Sequence, residues 1–386
     1  MIYFDNAAST PVDKRVLDAM LPYFSDRFAN PSNTSNMSGI LVNKDVEMAR
    51  NTVAKFMGCH SQQIFWTSGA TESNNLSLQG AVLAYKRKFP LKKPHIITTS
   101  IEHKSVFETC VYLTKNEVDV SFVEPELNGE INIKNIEDKI GANTFLVSVM
   151  MANNEIGVVN DLKAICSLCN SKGILVHTDA TQIIGKIDIN ILDLGVDFLT
   201  FSGHKIYASK GIGVLFVKNP DTISPIVFGG GQENGLRSGT LNVPGIIGVS
   251  EACKIFTEEG LEKESSRIIS YRNILENLLL KFSDKIIING YDCIRLPNIS
   301  SISFPVKEGY DILNIIKDRK LIVCSSGSAC DSADNSPSHV MKFIGKTRHE
   351  SKNTIRFSLG RFTTIDEITE GAKHIIAILE NIGIMD

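Results

Sequence analysis

Six short runs rich in β-branched and other apolar residues recur along the chain. They are QIFWTS (63–68), HIITTS (95–100), FLVSVM (145–150), ILVHTD (174–179), FLTFSG (198–203) and GVLFVK (213–218). Runs this short and this continuous read as strands buried on both faces. Amphipathic stretches such as LSLQGAVLAYKRKF (76–89) lie between several of them and read as helices. The alternation predicts an α/β fold, with a mostly parallel sheet covered by helices. Open sheets of that kind bind their ligands where the strands end. Polar residues of this chain gather at those ends.

A length of 386 residues leaves room for a large domain and a smaller one. After about residue 250 the texture changes. The charged pattern EACKIFTEEGLEKESSRIISYRNILENLLLKFSDK (251–285) reads as one long hinge helix, and new short strands such as NISSISF (298–304) follow it. The expected division is an N-terminal arm (1–14) packing with the small domain, a large domain (15–256) and a small C-terminal domain (257–386).

Several function classes are set aside by charge and hydropathy. A net charge of −3 gives no broad basic surface for nucleic acid. No apolar run reaches the roughly 18 residues of a membrane span. MIYFDNAAST, residues 1–10, has no basic region followed by an apolar core, so it is not read as a secretory signal. A cytoplasmic protein is expected. The eight cysteines are scattered, which argues against a disulfide framework. Cys166 and Cys169 form one C-x-x-C, but a zinc ribbon needs a second pair. Their spacing with Leu162 and Ile165 fits the buried face of a helix that stops at Gly173.

Four strand-end features carry chemistry. Lys205, in FSGHKIYASKGIG, follows a strand and a tight turn; desolvation there favours a neutral amine able to form a Schiff base. A surface turn lysine would read the same in isolation. WTSGATESNN (66–75) leads from a strand into a helix, and its backbone N–H groups, with Ser68 and Thr71, would cradle a phosphate. It lacks the lysine of a nucleotide P-loop, and alone it is equally a helix cap. Asp179 closes an apolar strand in VHTDATQ, where a carboxylate could hold a pyridinium nitrogen charged or simply cap a turn. His103, in TTSIEHKSV, could stack on a ring and move protons, or be a hydrogen-bonded, partly buried histidine. Together, a phosphate cup, a pyridine partner, a stacking histidine and a Schiff-base lysine describe a pyridoxal-phosphate site.

The chain resembles the NifS/IscS-type cysteine desulfurases. The resemblance runs from YFDNAASTPV (3–12) through TSGATESNN, NNEIGVV (153–159), HTDATQ, SGHKIYASKGIG, GGGQENGLRSGT (229–240) and SSGSAC to IRFSLGRFTT (355–364), nearly the whole chain. It implies fold type I of the pyridoxal-phosphate enzymes, with a mostly parallel seven-stranded sheet in the large domain and a smaller α+β C-terminal domain. It implies that Lys205 bonds pyridoxal 5′-phosphate covalently. Ala70, Thr71, Ser202 and His204 then sit at the phosphate, Asp179 at the pyridine nitrogen, Gln182 at the ring hydroxyl and His103 on the ring. Asn154 and Arg356 would hold the carboxylate of L-cysteine, a task suited to a planar guanidinium. Thr240 would reach the phosphate of a second subunit, which makes the protein a homodimer with shared sites.

Cys330, in SSGSACDSAD (325–334), matches the family's persulfide-forming cysteine. The implied reaction turns L-cysteine into L-alanine and leaves the sulfur on Cys330, on a mobile loop of about residues 322–338. Gly327, Ser328 and Ala329 would permit that loop to move. An acceptor protein for iron–sulfur cluster assembly, tRNA thiolation or another thio-modification would take the sulfur. The resemblance also allows Cys330 to ligate an iron–sulfur cluster transiently beside a docked scaffold. Asp331 stands where many relatives have threonine, and Asp331 and Asp334 should disfavour the thiolate. Cys324 is expected in a buried strand. A selenocysteine lyase or aminotransferase, or a non-catalytic sulfur carrier that has kept the fold, are the competing readings.

Overall fold

The computed structural model describes residues 1–326 and 338–384. Its main element is a seven-stranded sheet, in the order Ile64–Thr67, Gly213–Val217, Phe198–Ser202, Leu175–Asp179, Thr144–Ser148, His95–Thr99 and Asp119–Val123. Neighbours pair in parallel, except that Gly213–Val217 runs antiparallel to both of its neighbours. All six apolar runs fall on strands. The seventh, Asp119–Val123, was not marked by its sequence. It lies at the sheet edge, where only Val123 is buried, and its polar and apolar residues alternate instead of forming a continuous run.

The strands are apolar because both faces are covered. On one face the helices Met37–Met57 and Val243–Glu259 join the cluster that holds Trp66, Val147 and Phe201. On the other, Leu76 and Leu78 of the helix Ala70–Lys88 pack with Ile96, Val106 and Phe198. Fully burying a side chain of this kind stabilises the fold by roughly 1.5–3 kcal/mol. The helix Leu162–Ser171 turns Cys166 and Cys169 into the core, and burial pushes both thiols up to about 12. That is the expected packing role.

The charged pattern at 251–285 is two helices, not one. Val243–Glu259 ends at Gly260 (φ +81), and Leu261–Phe282 starts beyond it. Glycine enters this left-handed conformation without the penalty of a Cβ, so the helix breaks where the charge pattern continues. A second apolar cluster then forms around the antiparallel strands Ile287–Ile288, Ile299–Ser303 and Thr354–Ser358. Ile2 and Phe4 belong to that cluster, and Ile2–Tyr3 pairs in parallel with Ile322–Val323. Cys324 lies one residue past that strand, half-buried, with its thiol pushed up to about 12 by burial. No described helix is long and apolar enough to cross a membrane.

Candidate active site

A cavity of about 440 Å³ opens where the strands of the large sheet end. Ten residues expected at the site line it together: Ala70, Thr71, His103, Asn154, Asp179, Gln182, Ser202, His204, Lys205 and Arg356. Thr240 is exposed and is not in the lining of the cavity of its own chain. Cys330 lies outside the described residues, as do Asp331 and Asp334.

At one end of the cavity the helix Ala70–Lys88 begins. Its N-cap is Gly69, and no side chain caps it. Its first N–H groups are therefore available to an anion, which the helix dipole also favours. Close approach makes this possible: a Cβ on Gly213 would come within 2.5 Å of the Gly69 Cα. The Glu72 carboxylate, also in the cavity lining, folds back beside the helix start, accepting from the Ser68 N–H at 2.7 Å, and its charge is offset by Arg237 at 2.6 Å. Burial, reinforced by Lys205, Lys210 and Lys186, lowers the pKa of the nearby His204 to about 4, so it is neutral here.

The floor is a connected polar network. Asp179 is 6% exposed. It accepts from the Thr181 N–H at 2.9 Å and from the Asn74 amide at 2.7 Å. Asn74 also donates to Ser105 Oγ at 2.8 Å and accepts from Thr200. Ser105 Oγ is 2.8 Å from His103 Nδ1, which accepts from the Ser105 N–H. Neutral His103 therefore carries its proton on Nε2. Burial lowers the His103 pKa, Asp179 opposes that shift, and Lys205 and His339 add to it.

Lys205 stands above this floor and donates to the Ala8 carbonyl at 2.7 Å, and to that of Ala7. Gln182 donates to the Ala7 carbonyl at 3.1 Å, while its buried Oε1 has no partner among the described residues. Arg356 is 2% exposed on the strand Thr354–Ser358. Its Nη1 donates to the Asn154 carbonyl at 2.7 Å and its Nη2 to Asp5 at 2.9 Å, and its buried Nε has no partner among the described residues. An uncapped helix start, an unsatisfied amide oxygen, a buried carboxylate and a lysine facing one cavity fit a phosphate-bearing pyridine aldehyde.

Sequence reasoning did not single out Asn74, Ser105, Asp5, Glu155 or His339. Asn74 had a faint signal, a polar residue on the apolar side of a helix, which is tolerated only when fully paired. Glu155 lines the cavity, and burial raises its pKa; Ser338 donates to it at 2.5 Å. His339 Nε2 lies 3.1 Å from the Glu102 carbonyl. Both Ser338 and His339 come from far along the chain, so no local pattern could announce them.

The family model for aminotransferase class-V matches residues 2–370. The chain belongs to the aminotransferase class-V family. Within it, the cysteine desulfurase IscS of Klebsiella pneumoniae subsp. pneumoniae is 43% identical over 371 residues, 95% of this chain and 90% of the relative. A solved structure named NifS-like protein superposes with a TM-score of 0.89 at 37% identity, covering 98% of this chain and 99% of the other. A structure of SspA in complex with cysteine superposes with a TM-score of 0.83 at 36% identity, covering 94% and 100%. The mostly parallel seven-stranded sheet that the resemblance implied is the sheet observed, and these neighbours share the fold.

Proposed function

We infer that the chain is a cysteine desulfurase that converts L-cysteine to L-alanine and passes the sulfur to an acceptor. Near-full-length similarity to cysteine desulfurases, and to a structure holding cysteine, supports this reading over a selenocysteine lyase or an aminotransferase. The observation that carries it is the convergence of Lys205, Asp179, His103 and Arg356 on one cavity. A non-catalytic carrier would have no use for that set.

The division of labour follows from the chemistry of each group. Pyridoxal phosphate, when bound, supplies an electron sink that weakens the Cβ–S bond of the substrate. Lys205 would bond it covalently, with Ala70, Thr71, Ser202 and His204 at its phosphate. Asp179, held by Asn74 and Thr181, would keep the pyridine nitrogen protonated. Gln182 Oε1 would accept from the ring hydroxyl. Arg356 and Asn154 would orient the substrate carboxylate, with Arg356 exchanging its Asp5 contact for it. His103 would stack on the ring and hold or release a proton at Nε2. The Cys330 thiolate would attack the substrate sulfur: the Cβ–S bond breaks, an S–S bond forms, and Cβ takes a proton to give alanine. A homodimer in which Thr240 completes the partner's phosphate site, a cytoplasmic setting and a docked acceptor protein complete the proposal.

Two variants test it. Cys330→Ala is expected to keep the visible absorbance of the lysine-bound cofactor while persulfide and alanine formation fall to background. Unchanged turnover would remove Cys330 from the reaction. Lys205→Ala is expected to lose the adduct that borohydride traps in the wild type, read as intact mass.

A further inference from the structure

The cavity lysine rests on a second lysine that the reaction above does not use. Lys186 is 8% exposed. Its Nζ donates to the Lys205 carbonyl at 3.1 Å and to the Ile184 carbonyl at 3.3 Å. Among the described residues no carboxylate forms an ion pair with it. The acid that acts on it is Glu264, whose Oε2 accepts from Arg361 Nε at 2.9 Å. The Lys186 carbonyl in turn accepts from the hydroxyl of Ser265, the fifth residue of the helix Leu261–Phe282.

Burying an ammonium on carbonyls alone is costly. An apolar side chain of similar length would fill the same space without that cost, so packing does not account for a lysine here. What it touches does. One donor fixes the main chain of the turn Gly203–Lys205. The charge acts on what lies above it: burial, then Lys205, lower the Lys186 pKa to about 7, against the pull of Glu264. Coupling between two sites is reciprocal, so Lys186 must push on Lys205 as Lys205 pushes on it. His204 feels Lys186 as well, together with Lys205 and Lys210.

We propose that Lys186 is a positioning residue for Lys205: it pins the carbonyl of the cofactor-bearing lysine and brings a second buried charge to the turn that holds it. The proposal rests on the reading that Lys205 bonds pyridoxal phosphate, and the two can fail separately. A wild-type holoenzyme without a borohydride-trapped adduct on Lys205 would defeat that reading whatever Lys186 does.

With the adduct present, the experiment compares wild type, Lys186→Met and Lys186→Gln as holoenzymes. Glutamine keeps a donor for the Lys205 carbonyl and removes the charge; methionine removes both. The readouts are the pH midpoint of the visible absorbance change and the rate of cofactor loss on dialysis. The midpoint is expected to rise by roughly half a unit or more in both variants, because a competing cation has gone. Cofactor loss is expected to be several-fold faster in Lys186→Met than in Lys186→Gln. A wild-type midpoint in Lys186→Gln overturns the charge role, and that variant remains informative if the methionine variant does not fold. Equal rates of cofactor loss in the two variants overturn the pinning role.

Discussion

Glu102 sits beside His103 with its side chain fully enclosed. Its Oε1 accepts from the Thr99 hydroxyl at 2.8 Å and the Met150 N–H at 2.7 Å, and its Oε2 has no partner among the described residues. Burial, helped by Asp179, raises its pKa to about 8 despite those two donors. The folded protein therefore binds a proton here that the unfolded chain releases at an ordinary carboxyl pKa, and stability falls as pH rises from about 4.5 to about 8. Glu102→Gln keeps the acceptor for Thr99 and Met150 and removes the titration. The variant should gain on the wild type by at most about 1.4 kcal/mol per pH unit across that window. Denaturant unfolding at pH 5 and at pH 9 checks it, and a gap that does not grow with pH contradicts it. At this scale the sequence was legible where a single residue stood at a strand end, as Asp179 and Lys205 do. It was silent about Glu102, Asn74 and Ser105, whose meaning lies in pairings across the fold: the Asn74 amide meets a carboxylate more than 100 positions away.

Elements were legible where packing on both faces forced a continuous apolar run. They were obscured where one face met solvent, as in Asp119–Val123, or where one glycine overrode a longer pattern, as at Gly260. The segment 229–240 is a third case: its glycines mark a loop, yet what holds it is a charge pair. Glu233 and Asn234 both have left-handed backbones, with φ of +50° and +55°. Neither has the freedom of glycine, so each position costs on the order of 1 kcal/mol or more. The restraint is Arg50, which grips both oxygens of Glu233 at 2.8 Å, while Glu233 also accepts from the Trp66 N–H at 2.7 Å. The side chains of this pair are 10% and 2% exposed. Glu233→Ala leaves a buried guanidinium short of a partner and should cost about 3–5 kcal/mol. Replacing Arg50 and Glu233 together by methionine should cost clearly less than the two single changes summed. Chemical denaturation of the wild type, Arg50→Met, Glu233→Met and the double variant gives the comparison; additive losses would mean that the pair does not act as a unit.

For the molecule as a whole, the question is how a chain with separate apolar clusters holds one active-site geometry. Arg356 comes from a strand of the second cluster, while Asp179 ends a strand of the large sheet and Lys205 lies in the turn after another. Much of the tie is made by the N-terminal segment and Arg361. Asn6 donates to the Ser358 carbonyl at 3.0 Å, Thr10 to the His204 carbonyl at 3.0 Å, and Asp5 holds Arg356. Arg361 is 9% exposed. It reaches Asp13 at 3.0 Å and Glu264 at 2.9 Å, and its guanidinium lies over the rings of Tyr207 and Phe256, 4.6 and 4.5 Å from their centroids. Asp13 also accepts from Arg15 at 2.7 Å, and Arg15, followed by Arg361, holds the Asp13 carboxyl well below the usual carboxylate range. A depressed folded pKa gives stability that is complete above the unfolded value near pH 4 and is lost as pH falls toward the folded one. Asp13→Asn should therefore destabilise the protein by about 3 kcal/mol at pH 7, because Arg361 stays buried with one partner fewer. The same substitution should cost progressively less below pH 4, where the wild type loses its own advantage. Substrate affinity supplies the second readout: if this junction aligns Arg356 with the cofactor cavity, Asp13→Asn raises KM for cysteine at pH 7 more than it lowers kcat. A stability loss that is the same at pH 3 and pH 7 would show that Asp13 acts by shape and not by charge. An unchanged KM would place the alignment of Arg356 in the Asp5 and Asn154 contacts alone.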